Sequence, residues 1–388
     1  MKKTINIGDL GTIITGKTPP TSNKNYYGDY AVFIKPTDIS EQSKYTHETE
    51  EMYSKLAAEK YESSLIPKGA ICVPCIGTIG TKMTMAPCDC YTNQSINSIV
   101  CNENYDNEYV YYLIKNFLPG LKAYNLGTAS GREYVSKSNF EKIELVAEQD
   151  KTIQKKIGKI LSRYDSLIEN YQKQIKLLEE AAQRLYKEWF VDLRFPGHEN
   201  TRIVDGVPER WEKKPVDSIY SIKYGKNLST KLIAESGKYP VYGANGVIGY
   251  YDKYNCSEQV VLITSRGNGS GDVLMTYHKD AFITNNSFIV SPLKEYSYCQ
   301  VPFTYLFLKN ANFRAVRTGA AQPQLTNQSI QTVDVVLPSK DIIISFCNVL
   351  SHNNGMVIGL KNQIRLLTEA RDRLLPKLMS SEIEFNYI

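Results

Sequence analysis

The chain has 388 residues, of which 42% are hydrophobic and 22% charged; this is enough apolar material for two or three packed domains and excludes a disordered polymer. No stretch approaches the roughly 18 consecutive apolar residues of a membrane span. The opening "MKKTINIGDLGTI" lacks the long apolar run and small-residue cleavage site of an export leader, so the expected location is the cytoplasm, with no membrane partner. Net charge is +5 but uneven: residues 1–150 carry 15 basic against 18 acidic side chains, and residues 214–340 carry 13 against 8. The second region therefore permits nucleic-acid binding without requiring it. Tyrosine is abundant, at 28 residues, and can stack on bases or simply pack.

In chain order, the first motif is "GTIITGKT" at 11–18, which fits the phosphate-loop pattern G-x-x-x-x-G-K-[ST]. That chemistry needs a helix after the loop, whose N-terminus faces the phosphates. Pro19 and Pro20 follow instead, and two prolines do not open a long helix here. Cys72, Cys75, Cys88 and Cys90 form C-x2-C-x12-C-x-C, a hint of zinc. The C-x-C half is poor zinc spacing, and "AICVPCI" reads as a strand, so packed thiols are expected. The four histidines, His47, His198, His278 and His352, show no metal spacing. Short helical pieces read at "NEYVYYLIKNF" and "VPFTYLFLKNA", and further strands at "VVLITS", "DAFITNNSFIVS" and "TVDVVLP".

From 152 to 190 apolar side chains recur at Ile157, Leu161, Tyr164, Ile168, Tyr171, Ile175, Leu178, Ala182, Leu185 and Trp189. Steps of four and three alternate, as in a heptad seam, which predicts a helix of roughly 58 Å. Pro196 and Gly197 stop it, and "PGHENTRIVDGVPERWE" reads as linker. A second seam runs through Phe346, Leu350, Val357, Leu360, Ile364, Leu367, Leu374 and Leu378, interrupted by Asn353 and Arg371. Polar residues at such positions often fix register.

The chain repeats itself. "GTASGREYVSKSNFEKIELVAE" (127–148) lies 190 residues before "RTGAAQPQLTNQSIQTVDVVLPS" (317–339), and the same offset places "AICVPCIGTIG" (70–80) on "VVLITSRGNGS" (260–270). Near the start the offset is 209, with "IITGK" on "IKYGK". The predicted order is globule (1–150), long helix (151–195), linker (196–213), globule (214–340), long helix (341–388). The fold class is α/β or α+β: two similar mixed globules and two helices in an antiparallel coiled coil, related by a pseudo-twofold axis.

The segments "KKIGKILSRYDSLIENYQKQIKLLEEAAQRLYKEWF", "YPVYGANGVIGYYDKY", "TGAAQPQLTNQSI" and "VPERWE" carry a resemblance over nearly the whole length. The chain resembles the DNA-sequence specificity subunit of type I restriction-modification enzymes. One departure is that no P-x-x-W precedes residue 4. The resemblance implies a non-catalytic subunit whose two target-recognition domains each read half of a bipartite double-stranded DNA site, while the helices set the gap. It implies two methyltransferase subunits, which bring S-adenosylmethionine and flip an adenine in each half-site. Restriction (translocase) subunits would bring ATP and magnesium, and no cofactor is expected in this chain.

Asn and Gln read adenine edges and Arg reads guanine. On that reading the candidate DNA contacts of the first globule are Lys17, Lys35, Lys82, Ser130, Arg132, Tyr134 and Lys137, with Glu133 on the same loop. Those of the second are Lys226, Asn245, Arg266, Asn268, Arg314, Arg317, Gln322 and Gln324. Three rivals remain: a nucleotide-binding loop at 11–18, a coiled-coil scaffold without a DNA role, and a related two-part system whose partner fuses methylation and cleavage.

Overall fold

The computed structural model describes residues 2–77, 79–127, 133–319 and 323–383. The chain divides into two compact units: Met1–Gln172 with Gln363–Ile388, and Lys173–Asn362.

In the first unit Lys2–Asn6 pairs antiparallel with Glu144–Glu148, so the two ends of the globule meet. A four-stranded antiparallel sheet runs Gly11–Thr15, Ile96–Cys101, Ile71–Pro74, Thr84–Met85. Ile71–Pro74 alternates poorly in sequence because both its faces are covered. Ile71 and Val73 join one apolar core with Tyr109–Ile114 of the helix Asn107–Phe117, while Cys72 joins another with Ile34, Ile66 and Cys90. A smaller sheet contains Ala31–Ile34 beside Tyr91–Thr92, in parallel register Phe33↔Tyr91.

The second unit repeats this plan. Its four-stranded sheet runs Tyr220–Tyr224, Ser287–Pro292, Val261–Thr264, Val273–Met275. Val261 and Ile263 face the main core and Leu262 a second one. Tyr239–Gly243 runs parallel to Phe282–Ile283, and Glu212–Pro215 closes against Asp334–Leu337. Within 196–213, Ile203–Val204 and Val207–Pro208 form a short hairpin, and Trp211 packs 5.2 Å from Phe195 and 5.9 Å from Phe190, ring to ring.

The long helices are Lys151–Tyr186 and Lys340–Ser380. In each unit the contacts between them run antiparallel. Ile157 and Leu161 share a core with Leu375 and Leu378 in the first unit. In the second, Tyr186, Trp189 and Phe190 gather around Phe346, with ring centroids 6.0, 5.5 and 4.9 Å away. Ile168, Ile175, Leu350 and Val357 are buried, whereas Leu178, Leu185, Ile364, Leu367 and Leu374 are half-buried. The inward position drifts by one residue at several turns: Asp165 replaces Tyr164, Tyr186 replaces Leu185, and Leu375 replaces Leu374. A helix of 3.6 residues per turn slips against a strict seven-residue repeat by about 20° per heptad, which moves the seam this way.

Candidate nucleic-acid interface

The second globule builds its polar edge from two loops. After Val261–Thr264 the chain turns through 265–272. Gly267 and Gly271 sit at φ +84° and +87°, a left-handed conformation that favours glycine. Gly271 N–H donates to Thr264 O at 2.8 Å, and Asp272 N–H to Gly269 O at 2.8 Å. In the second loop Thr318 and Gln324 exchange N–H···O bonds, both 2.9 Å. One antiparallel bridge, between Arg266 and Gln324, stitches that segment to the first loop through two hydrogen bonds: Gly267 N–H to Pro323 O at 3.0 Å and Leu325 N–H to Ser265 O at 2.8 Å. Leu325 is buried and anchors the end.

The first globule makes the same stitches 190 residues earlier. Ile76 bridges Tyr134, Gly77 N–H donates to Glu133 O at 2.9 Å, and Val135 N–H donates to Cys75 O at 2.8 Å. Gly77 lies at φ +83°. The closure differs: Leu126 N–H donates to Tyr134 O, and Asn125 Oδ1 accepts from Gly127 N and Tyr134 N at 2.9 and 2.8 Å. Backbone is shared between the two sites and side chains are not.

Six of the predicted contacts come together in the second unit. Asn245, Arg266, Asn268, Arg314 and Gln324 are exposed, and Arg317 is half-buried. The hairpin turn carrying Asn245 is tied down by Thr264 Oγ1, which donates to Ala244 O at 2.6 Å. Arg317 Nε and Nη2 are enclosed without a hydrogen-bond partner, a costly state for a charged donor. Lys226 is exposed on a separate stretch, its N–H bound to Ile283 O at 3.0 Å. Gln322, Ser130 and Arg132 lie outside the described residues.

In the first unit Lys82 is half-buried after the Ile71–Pro74 strand, and Tyr134 is half-buried in its bridge. Lys137 opens the short helix Lys137–Glu141, capped by Ser136, and lies 3.7 Å from Glu141. Lys17 Nζ donates to Ser63 Oγ at 3.3 Å. Lys35 departs from expectation. Its ammonium is paired with Glu50 at 2.8 Å and Glu51 at 3.2 Å and is mostly covered. Those two carboxylates already neutralise it, so it is a poor phosphate contact.

The "GTIITGKT" match has another cause. A Cβ on Gly16 would lie 2.1 Å from Thr92 O, and one on Gly225 would lie 2.2 Å from Thr284 O. Both glycines let a loop cross a strand end. Lys17 and Lys226 give their N–H groups to Thr92 O and Ile283 O, so those donors are not free to cradle phosphate. The next helical piece after Lys17 is the single turn Lys24–Tyr26. The nucleotide-loop reading therefore fails. Burial pushes the Cys72 and Cys75 thiols up to about 12, which disfavours the thiolate that zinc needs. Among the described residues no three metal-binding side chains gather, and no helix is long and apolar enough to cross a membrane.

Sequence reasoning missed Asp272, whose carboxylate pairs with Arg314, and Asn125, which closes the loop of the first globule. The only signal for either was a short polar residue beside a glycine-bearing turn.

Comparison with known proteins bears on this geometry. The family profile described as "Type I restriction modification DNA specificity domain" matches twice, at residues 2–180 and 208–365. The chain is 26% identical over 404 residues to the type I restriction enzyme MjaIX specificity subunit of Methanocaldococcus jannaschii, covering 97% of this chain and 92% of that protein. It is 36% identical over 168 residues to the HindI specificity subunit of Haemophilus influenzae, covering 42% of this chain and 36% of that one. The crystal structure of the type I restriction-modification S subunit from M. genitalium superposes with a TM-score of 0.57 at 18% identity, covering 97% and 96% of the two chains. That likeness extends the shared fold to the whole length.

Proposed function

The chain belongs to the type I restriction modification DNA specificity family, and on that premise we propose that its two stitched loop pairs are the two readers of its bipartite DNA target. It is a specificity subunit with two such domains, and it assembles with methyltransferase and restriction subunits on DNA. The observation that carries the assignment of the readers is their shared backbone. Gly77–Glu133 and Val135–Cys75 recur as Gly267–Pro323 and Leu325–Ser265, while the exposed side chains on that frame differ. A common frame with different side chains is what reading two different half-sites requires.

In this reading the subunit itself performs no chemistry. Two methyltransferase subunits supply S-adenosylmethionine and act on an adenine in each half-site, and the restriction subunits use ATP and magnesium. The long helices hold the spacing between half-sites. Among phosphate contacts, Lys226 is the clearest candidate, because it is exposed and only its backbone is engaged.

Exchange of residues 214–340 for the matching segment of a relative tests the assignment. Sequencing of methylated DNA from cells carrying the chimera should show one half of the motif changed and the other kept. A change in both halves would show that the domains do not read independently.

A further inference from the structure

We infer that Asp272 is a positioning residue that holds Arg314 to read a guanine in the half-site of the second domain; this rests on the function proposed above. Three elements converge on Gly269. A Cβ placed there would lie 3.1 Å from Asp272 Oδ2 and 3.3 Å from Asn245 Oδ1. Asp272 in turn accepts from Arg314 Nε at 3.1 Å and Nη2 at 2.5 Å, both on Oδ1.

The backbone under Arg314 is fixed. It lies in the turn Phe313–Val316, where the side chain of Asn312 accepts from Ala315 N at 3.2 Å and Phe313 is buried. Gly271 at φ +87° packs its α-carbon against that turn, since a Cβ there would lie 3.3 Å from Arg314 N.

Magnitude separates this role from plain stabilisation. The Arg314 side chain is 63% exposed and that of Asp272 41%, and such exposed pairs contribute between zero and about 1 kcal/mol. What the contact does supply is orientation. Asp272 occupies the Nε–Nη2 edge of the guanidinium, so a further partner would be met at its Nη1–Nη2 end. That end is a planar two-donor fork, the geometry that matches guanine O6 and N7. A phosphate contact would need charge rather than a fixed plane, and a neighbouring carboxylate would weaken it. Gly269 keeps a Cβ from crowding the pair, and Asn245 brings its side-chain oxygen to the same spot.

The test uses the assembled methyltransferase complex and a set of duplexes varied one base pair at a time. For Asp272→Asn, discrimination at a single position of the second half-site should fall about ten- to a hundredfold. The first half-site and the salt slope should stay unchanged. Arg314→Lys, which keeps the charge, should lose the same discrimination, and Asp272→Asn should add nothing further in an Arg314→Ala background. Two results would overturn the inference. One is a uniform loss across all sequences with the salt slope reduced by about one, the mark of a phosphate contact. The other is unchanged base preference in both Asp272→Asn and Arg314→Lys. Either leaves the proposed function intact, because that reading fails only if the unmodified complex shows no sequence dependence.

Discussion

Each unit joins the two long helices with the same three kinds of side chain, set at different depths. The second helix supplies a cation, the first an acid, and the globule a tyrosine. In the first unit these are Arg371, Asp165 and Tyr112. Arg371 and Asp165 are 4% and 3% exposed and form an ion pair, and Tyr112 Oη donates to Asp165 at 2.5 Å. In the second they are Lys361, Glu179 and Tyr277. Lys361 lies 3.6 Å from Glu179 and 3.5 Å from the Tyr277 ring centroid, with both charged side chains a third or more exposed. Burial alone would lower both cations. Asp165 and Asp372 outweigh it at Arg371, whose guanidinium is held more firmly charged than usual. At Lys361 burial outweighs Glu179, and the ammonium is pushed down. Residue type follows depth: a planar, weakly hydrated guanidinium suits the dry site, and a strongly hydrated ammonium the wetter one.

The largest way to break this comparison is Arg371→Ala. It strands Asp165 as a buried charge and should cost about 3–5 kcal/mol, read as a lowered midpoint in urea unfolding. A loss below 1 kcal/mol would mean that water reaches the pair. Alanine at Gly77 or Gly267 comes next. A Cβ at either position meets nothing within 4 Å, so the cost is the left-handed backbone alone, about 1–2 kcal/mol. It should be equal in the two units, and unequal costs would show that the shared stitches are not equivalent in solution. Lys361→Ala should cost under about 1 kcal/mol, and a cost rivalling Arg371→Ala would erase the distinction between the sites.

The smallest effect concerns Glu169, whose Oε1 is enclosed without a partner near the Arg371 site. Burial, then Asp165, raises its carboxyl above the usual 4.5. The folded state therefore holds this proton more tightly than the unfolded chain. Stability falls as pH rises from the ordinary carboxylate value through the raised one. Glu169→Gln removes that loss, so the variant should be slightly more stable at neutral pH and equal to the parent below pH about 4. A gain confined to acid would reverse the sign and refute the assignment.

Much of this fold could be read from the chain because the repeat preserves backbone register. The offset of 190 that aligned "AICVPCIGTIG" with "VVLITSRGNGS" is the offset of the hydrogen bonds themselves. The paired long helices followed from apolar spacing, and both short helical pieces lie where they were read. Pairings across long distances stayed hidden. Asp165 and Arg371 are 206 residues apart, and Asp272 and Arg314 are 42 apart; no local pattern marks such partners. Lys35 looked like an available cation because Glu50 and Glu51 reach it only through the fold. Gly16 looked like part of a phosphate loop because Thr92, the residue that demands a glycine there, is distant in sequence.

The strand that closes each globule has a consequence for the chain while it is being made. Lys2 pairs with Glu148, so the first strand closes a loop of about 146 residues, at ~4 kcal/mol of chain entropy. At about 5–20 residues per second, the strand spends roughly 7–30 seconds outside the ribosome before its partner exists. Its edge is open for that time, and open edges invite pairing with neighbouring chains. The early strand reads "KKTIN", and its counterpart "EKKP", which must wait for Asp334–Leu337, also carries two lysines and ends on a proline. Charge and proline on a waiting edge oppose such pairing, so each globule carries its own protection against aggregation at the end that emerges first.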